Sequence, residues 1–297
     1  MATIWIFSST SDCGTKPAIG GQLLSLSENT LCLRNPWVTD SVFMGKLYCA
    51  MIIVLMIGFY PDLLSSEAWG PYTFSPILLI GTAIGPFIFL PFLTYRIYLI
   101  KRLSSFCFNR STQKIYYQRL SKELIFEWRN TGGGVFKRTE YGGSSFSSSY
   151  ALAFAPRRAD GSLHQKDCLW VDSNAPSEPG VKHVAEVWEY LRHFMDHGPD
   201  KLPPPGEPNW WHKPLHAICL TPAEAWQHYA PWRTGEPGEM QGKKNWQLPF
   251  WAVLFPYNLT VAICWYFICK LFNVRAAPPP PEAFEDAPAH STQRKRR

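Results

Sequence analysis

Three long apolar runs interrupt this chain and constrain its fold more than any other feature. The first, Val42 to Leu64, is broken only by Lys46 near its start and by Pro61 and Asp62 near its end. About twenty apolar residues rising about 1.5 Å each cover a hydrocarbon core of roughly 30 Å, and a lysine close to one end can snorkel to the surface. The second, Phe74 to Tyr95, carries no charge and is followed by Arg96, Lys101 and Arg102. Between them, Pro61 to Thr73 holds Asp62 and Glu67 but no lysine or arginine, so the pair reads as a hairpin whose tip faces away from the cytoplasm. Tyr60, Trp69 and Tyr72 then form an outer aromatic belt and Tyr95 and Tyr98 an inner one, while Gly81 and Gly85 allow close approach of a neighbouring helix. The third run, Leu248 to Cys269, has Pro256, Tyr257 and Asn258 at its centre. A complete crossing, its kink supported by the other helices, is expected in preference to a re-entrant or interfacial helix that keeps both ends inside.

Composition adds exclusions. A net charge of +6 suits nucleic acid in principle, but the basic residues are scattered or flank the apolar runs as orientation signals do, so no nucleic-acid partner is expected. The eight cysteines form no C-x-x-C pair, and Cys49, Cys264 and Cys269 lie inside apolar runs, so a reduced, unpaired set is expected. Met1 to Asp12 lacks the basic and apolar regions of a cleavable leader, which leaves the first span as the insertion signal. Residues 1–41 read as a loosely ordered cytoplasmic arm, followed by the membrane hairpin at 42–100.

Residues 101–200 read as a cytoplasmic antiparallel sheet with a closing helix. Phe106 and Phe108, the turn Asn109 to Gln113, and Ile115 to Tyr117 form a first hairpin. Further short strands are expected at Leu124 to Trp128, Gly134 to Thr139, Tyr150 to Ala155 and Cys168 to Val171, with turn material at Asn130 to Gly133, Tyr141 to Ser149 and Arg157 to Gly161. Val184, Trp188, Leu191 and Met195 then recur at helical spacing, widened by Val181, Val187 and Phe194, until Gly198 and Pro199. Strands followed by one amphipathic helix give an α+β class resembling the pleckstrin-homology order, with a split sheet and packing helix as the alternative.

Residues 201–247 are rich in proline and tryptophan and read as a juxtamembrane segment, with Thr221, Pro222 and Glu224 marking the start of a short helix. Trp210, Trp211, Trp226 and Trp232 are the candidate partner-binding residues, as headgroup-level anchors or as tryptophans closing the cytoplasmic core. A third membrane helix at 248–271 leads into a disordered basic tail at 272–297, which begins its proline run at Pro278 to Pro281.

No catalytic, cofactor-binding or metal-ligating set is assigned. His193 and His197 lie one turn apart, but two ligands do not make a metal site, and His183, His212 and His216 are badly placed to complete one. Gly132 to Gly134 lacks the lysine and hydroxyl of a phosphate loop and reads as a turn. Ser144 to Ser149 has no nucleophile elbow around it. Lys101, Arg102, Arg110 and Lys114 are candidate contacts for anionic lipid, each worth about 1 kcal/mol if close to the surface.

Three stretches carry a resemblance: S-F-C-F-N-R-S-T-Q-K-I-Y-Y (Ser105 to Tyr117), E-W-R (Glu127 to Arg129) and V-W-E-Y-L-R-H-F-M-D-H-G-P (Val187 to Pro199). Over roughly Val42 to Pro204 the chain resembles a family of uncharacterised bacterial inner-membrane proteins, in which a membrane hairpin leads into an F-N-R-x-x-x-K-V-Y strand and a late helix ends in M-x-x-G-P. Such proteins tend to accompany type VI secretion and toxin systems. The resemblance implies a non-enzymatic immunity or accessory protein whose cytoplasmic domain binds a toxin or secretion component. A lipid- or ligand-sensing module and a membrane-bound hydrolase, the latter requiring His193 or His197, are the alternatives.

Overall fold

The computed structural model describes residues 3–64, 85–141, 146–157, 168–172, 181–207 and 209–286. The chain divides into two compact units. One gathers Met1–Asn35, Ser104–Gly206 and Pro278–Arg297; the other comprises Pro36–Leu103 and Glu207–Ala277.

The first unit holds two antiparallel sheets and a helix. Strands β2 (Leu23–Leu26), β3 (Thr30–Leu33), β4 (Phe106–Asn109), β5 (Lys114–Arg119) and β6 (Lys122–Glu127) form one sheet in that order. In the other, β1 (Thr3–Ser8) is followed by β7 (Thr131–Tyr141), β8 (Phe146–Pro156) and β9 (Leu169–Asp172). Period-two alternation aims Phe106 and Phe108 at the same face, where their rings lie 5.6 and 5.7 Å from that of Phe154 in β8. The helix of this unit, α3 (Val181–His197), buries Val184, Val187, Trp188, Leu191, Phe194 and Met195, the stripe its spacing predicts, whereas Val181 at its first turn is exposed. Trp188 meets Trp128 at 5.1 Å and Phe7 at 6.0 Å. Aromatic side chains bury about 150–250 Å² each, roughly 4–6 kcal/mol of transfer free energy at most, so this cluster anchors the helix. The helix stops at Gly198, whose positive φ of 83° suits glycine.

Four expectations change here. Residues 1–41 supply three strands and the first residues of a helix instead of a loose arm, because β1 and β3 find partners more than seventy residues downstream, in β7 and β4. Gly132 to Gly134 lie inside β7 and not in a turn. A side chain at Gly133 would stand 2.7 Å from the Trp188 ring, and one at Gly134 2.7 Å from the Ile4 carbonyl, so these glycines make room for neighbours. Cys32 and Cys107, facing each other across β3 and β4 with Cα atoms 4.2 Å apart, form a disulfide and are not free thiols. Finally, the tail does not begin in disorder. Pro281–Phe284 form a 3₁₀ turn, Ala283 is buried against Cys32, Cys107 and Tyr116, and Asn109 Nδ2 donates to the carbonyls of Ala283 and Glu285 at 3.0 and 2.8 Å. Every residue of β4 is consequently buried, one face by the opposite sheet and the other by this strap.

The second unit begins with α1 (Pro36–Leu64) and α2 (Gly85–Arg102). Tyr48 meets Phe89 and Phe92, whereas Val42 shares a cluster with Ile97 and Ile100, so the two helices run antiparallel. Of the second apolar run, residues 74–84, together with Gly81, Trp69, Tyr72 and Glu67, lie outside the described residues, as do residues 142–145, 158–167, 173–180 and 287–297. A 3₁₀ turn at Trp210–His212 precedes the short α4 (Lys213–His216), then α5 (Pro222–Tyr229) and α6 (Leu248–Leu271). Helix α5 starts in a complete capping box, Glu224 N–H donating to Thr221 Oγ1 and Thr221 N–H to Glu224 Oε2. Two helical stretches, Pro36–Ile57 and Asn245–Leu271, are long and apolar enough to cross a membrane.

Helix α6 is continuous through Pro256. Its C-terminal half packs on the hairpin: Trp265 joins Val42, Leu93, Ile97 and Ile100, a side chain at Gly45 would overlap its ring, and Lys101 Nζ donates to the Phe272 carbonyl at 3.1 Å. Its middle packs on α5 and the turn before it, where Ala262 and Leu259 meet Leu220, Ala225 and Tyr229.

Candidate functional site: a tryptophan-rich cap beside the third apolar helix

The segment between Asn209 and Gln247 has little regular structure, so its backbone is held by side chains. Two buried carboxylates do this. Glu236 accepts hydrogen bonds from Trp210 Nε1 at 2.9 Å, from Lys213 Nζ and from His228 Nδ1 at 3.1 Å. Glu239 accepts from the backbone amides of Thr234 and Gly235, from Thr234 Oγ1 and from Lys243 Nζ at 2.7 Å. Lys243, 0% exposed, also donates to the carbonyls of Gln227 and Trp232. A lysine so fully desolvated is tolerable only because each of its donors is used.

The titration of these groups follows from their partners. Burial opposes ionisation of Glu239, but Lys243 and the Thr234 and Gly235 amides outweigh it and hold the carboxyl at about 2. Burial likewise opposes ionisation of Glu236, yet Lys213, Trp210 and His228 keep it below the usual carboxylate range. Burial pushes His228 down to about 4 despite the adjacent carboxylate, so the imidazole is neutral at pH 7. His228 and Glu236 have the form of an acid–base pair, but the imidazole is buried and packed 4.2 Å from the Trp210 ring. The arrangement fastens chain to chain.

Of the four tryptophans singled out from the sequence, Trp210 belongs to this buried network, above Gly242, where any side chain would overlap its ring. The other three are about half exposed. Trp211 stacks on Trp251 at 5.8 Å, and Trp226 meets Phe255 at 4.9 Å and Trp232 at 6.0 Å. Of the four basic residues, Lys101 and Arg102 end α2 in the second unit, and Arg110 and Lys114 belong to the first. Arg102 lies over the Tyr98 ring, and Arg110 donates to Asn29 Oδ1 at 3.4 Å. The rings of His193 and His197 are 5.2 Å apart, and among the described residues no group of three metal-binding side chains forms.

Sequence reasoning missed Glu236, Glu239 and Lys243, whose partners are set by folded loops. It also missed a groove of about 390 Å³ lined by Trp211, Trp246, Gln247, Phe250, Trp251, Leu254 and Asn258. Residues 247, 250, 251, 254 and 258 recur at helical spacing, a signal that was present in the run. Comparison with known proteins returned no matching family model, no matching curated protein and no matching solved structure.

Proposed function

We propose that the chain is an integral protein of the bacterial inner membrane whose sheet-and-helix unit faces the cytoplasm and binds a protein partner. The observation that carries the binding role is the open edge of the four-stranded sheet. Among the described residues strand β1 pairs with β7 alone, and its outward side chains Ile4 and Ile6 are 65% and 58% exposed. An unpaired strand with an apolar stripe is a template for a strand from another chain.

The membrane placement draws on α1 and α6 and on the arginines and lysines that follow α2. One folded body lies on one side of a bilayer. Because Met1–Asn35, Ser104–Gly206 and Pro278–Arg297 share one unit, the intervening segments each cross an even number of times. The α1–α2 hairpin crosses twice. Between Gly206 and Pro278 the helices before α6 have only four and eight residues, so α6 is read as a re-entrant or interfacial helix whose tryptophan cap lies at the headgroup level. This reading takes the re-entrant or interfacial alternative in place of a complete crossing, for which α6 is also long and apolar enough.

The two sheets and closing helix support reading this unit as a pleckstrin-homology-like module, with a split sheet and packing helix as the alternative, and the partner class implied by the family resemblance is a toxin or secretion component, which gives an immunity or accessory role. A tagged copy is expected to recover its partner from solubilised membranes, and Ile4→Lys with Ile6→Lys to lose it while membrane insertion is unchanged. Equal recovery by both proteins defeats the proposal.

A further inference from the structure

The groove along the N-terminal half of α6 is elongated and mostly apolar. Four of its seven lining residues are aromatic or aliphatic members of a single helix face or its flanking turn, Trp246, Phe250, Trp251 and Leu254, and Trp211 closes it from the 3₁₀ turn. From Gln247 to Asn258 the face extends about 16 Å at about 1.5 Å per residue, and its volume of about 390 Å³ falls within the roughly 300–1,000 Å³ of ligand sites. The outer flank continues without a polar break: Val253 is 79% exposed, and Phe250, Leu254 and Tyr257 are also exposed. A groove with such a flank opens toward hydrocarbon, not water.

A second observation points to a ligand and to its polarity. Gln247 Oε1 is buried and has no hydrogen-bond donor among the described residues, although it lines the groove at the start of α6. A buried acceptor of this kind is normally satisfied. The indole N–H of Trp251, by contrast, is already used by the Gly242 carbonyl at 3.0 Å, so the groove's remaining demand is for a donor at the Gln247 end.

We infer that this groove binds a membrane lipid, one apolar chain lying along Phe250, Trp251 and Leu254 and a headgroup N–H or O–H donating to Gln247 Oε1. The inference rests on the proposed insertion of α6 and is independent of the partner-binding edge. Phosphatidylethanolamine and diacylglycerol both carry such a donor, whereas phosphatidylcholine carries none.

The test uses the full chain, purified in detergent, stripped of lipid and titrated separately with these three lipids, with bound molecules counted by native mass spectrometry. One phosphatidylethanolamine or diacylglycerol per chain is expected to survive activation that removes phosphatidylcholine. If phosphatidylethanolamine alone is retained, the ammonium is the donor; if both are, any donor suffices. Leu254→Trp fills the groove from an exposed position and is expected to reduce retention at least fivefold. Gln247→Leu keeps the groove and its shape and is expected to reduce retention of the donor lipids to the phosphatidylcholine level, which preserves a readout if the first variant does not fold. Equal retention of all three lipids, or retention unchanged in both variants, overturns the inference. Extraction of the wild-type chain from membranes by alkaline carbonate would instead overturn the insertion on which it rests.

Discussion

Breaking the link between Cys32 and Cys107 should loosen the first unit by an amount that the chain's connectivity sets. The bond closes a loop of 75 residues, which by the loop-entropy relation restricts the unfolded chain by about 4.5 kcal/mol. That loop contains α1 and α2, and a hairpin that stays inserted while the sheets unfold shortens it to the equivalent of about 15 residues or fewer, for which the same relation gives about 3 kcal/mol. A loss of about 3–4 kcal/mol on reduction is therefore expected. For a domain of this size 1 kcal/mol moves the midpoint by roughly 2–4 °C, so Tm should fall by roughly 6–16 °C. The assay is thermal unfolding of the purified full chain, followed by tryptophan emission with and without reductant, beside a Cys32→Ala, Cys107→Ala variant that should match the reduced protein and ignore reductant. Alkylation of unfolded, unreduced protein followed by peptide mapping should yield the two half-cystines as one linked peptide. Free alkylation of both cysteines in oxidised protein, or an unchanged midpoint, would refute the reasoning. Alkylation inside cells before lysis reads the compartment of this unit, because the linked pair persists only where the surroundings are oxidising: open thiols there agree with the proposed cytoplasmic side, and a linked pair puts the unit on the other side of the membrane.

Other outcomes follow from the second unit. Gly45→Val, which forces a side chain into the Trp265 ring, should cost about 1–3 kcal/mol and separate α1 from α6, as read by loss of a cysteine crosslink engineered between them. Lys243→Met leaves the Glu239 carboxylate without its cation and should cost about 3–5 kcal/mol, with Glu239→Gln added to it recovering part of the loss in a double-mutant cycle. Acid should open the cap in two stages. His228, lowered to about 4, binds a proton more readily when unfolded, so stability falls as pH drops from about 6.5 toward 4; Glu239, lowered to about 2, gives a contribution present above about 4.5 and lost as pH falls toward 2. Emission of the tryptophans against pH should report both stages, and His228→Gln should remove the first.

Much of the fold could be read from local pattern. The stripe of α3, the β4–β5 hairpin and the Thr221 capping box depend on residues within a turn or two of one another, and they stand where the sequence puts them. The failures share a cause. Strands β1 and β3, the Cys32–Cys107 bond and the strap at Ala283 each depend on partners 73 to 253 residues away, which no local period records. Glycines 132–134 were misread because the reason for them is the bulk of Trp188 and the backbone of β1. In the candidate site, the abundance of tryptophan was visible, but only the folded loops separate the buried Trp210 from the half-exposed Trp211, Trp226 and Trp232.

The strap also sets a timetable. Asn29 Nδ2 donates to Asp286 Oδ1 across 257 residues, and at about 5–20 residues per second the ribosome needs roughly 13–50 s to make the second after the first. Throughout that interval β3 lacks its cover. A nascent chain held so long with an uncovered sheet face calls for a chaperone, and a message truncated before codon 278 would release a protein whose sheets form but whose Cys107 face stays uncovered.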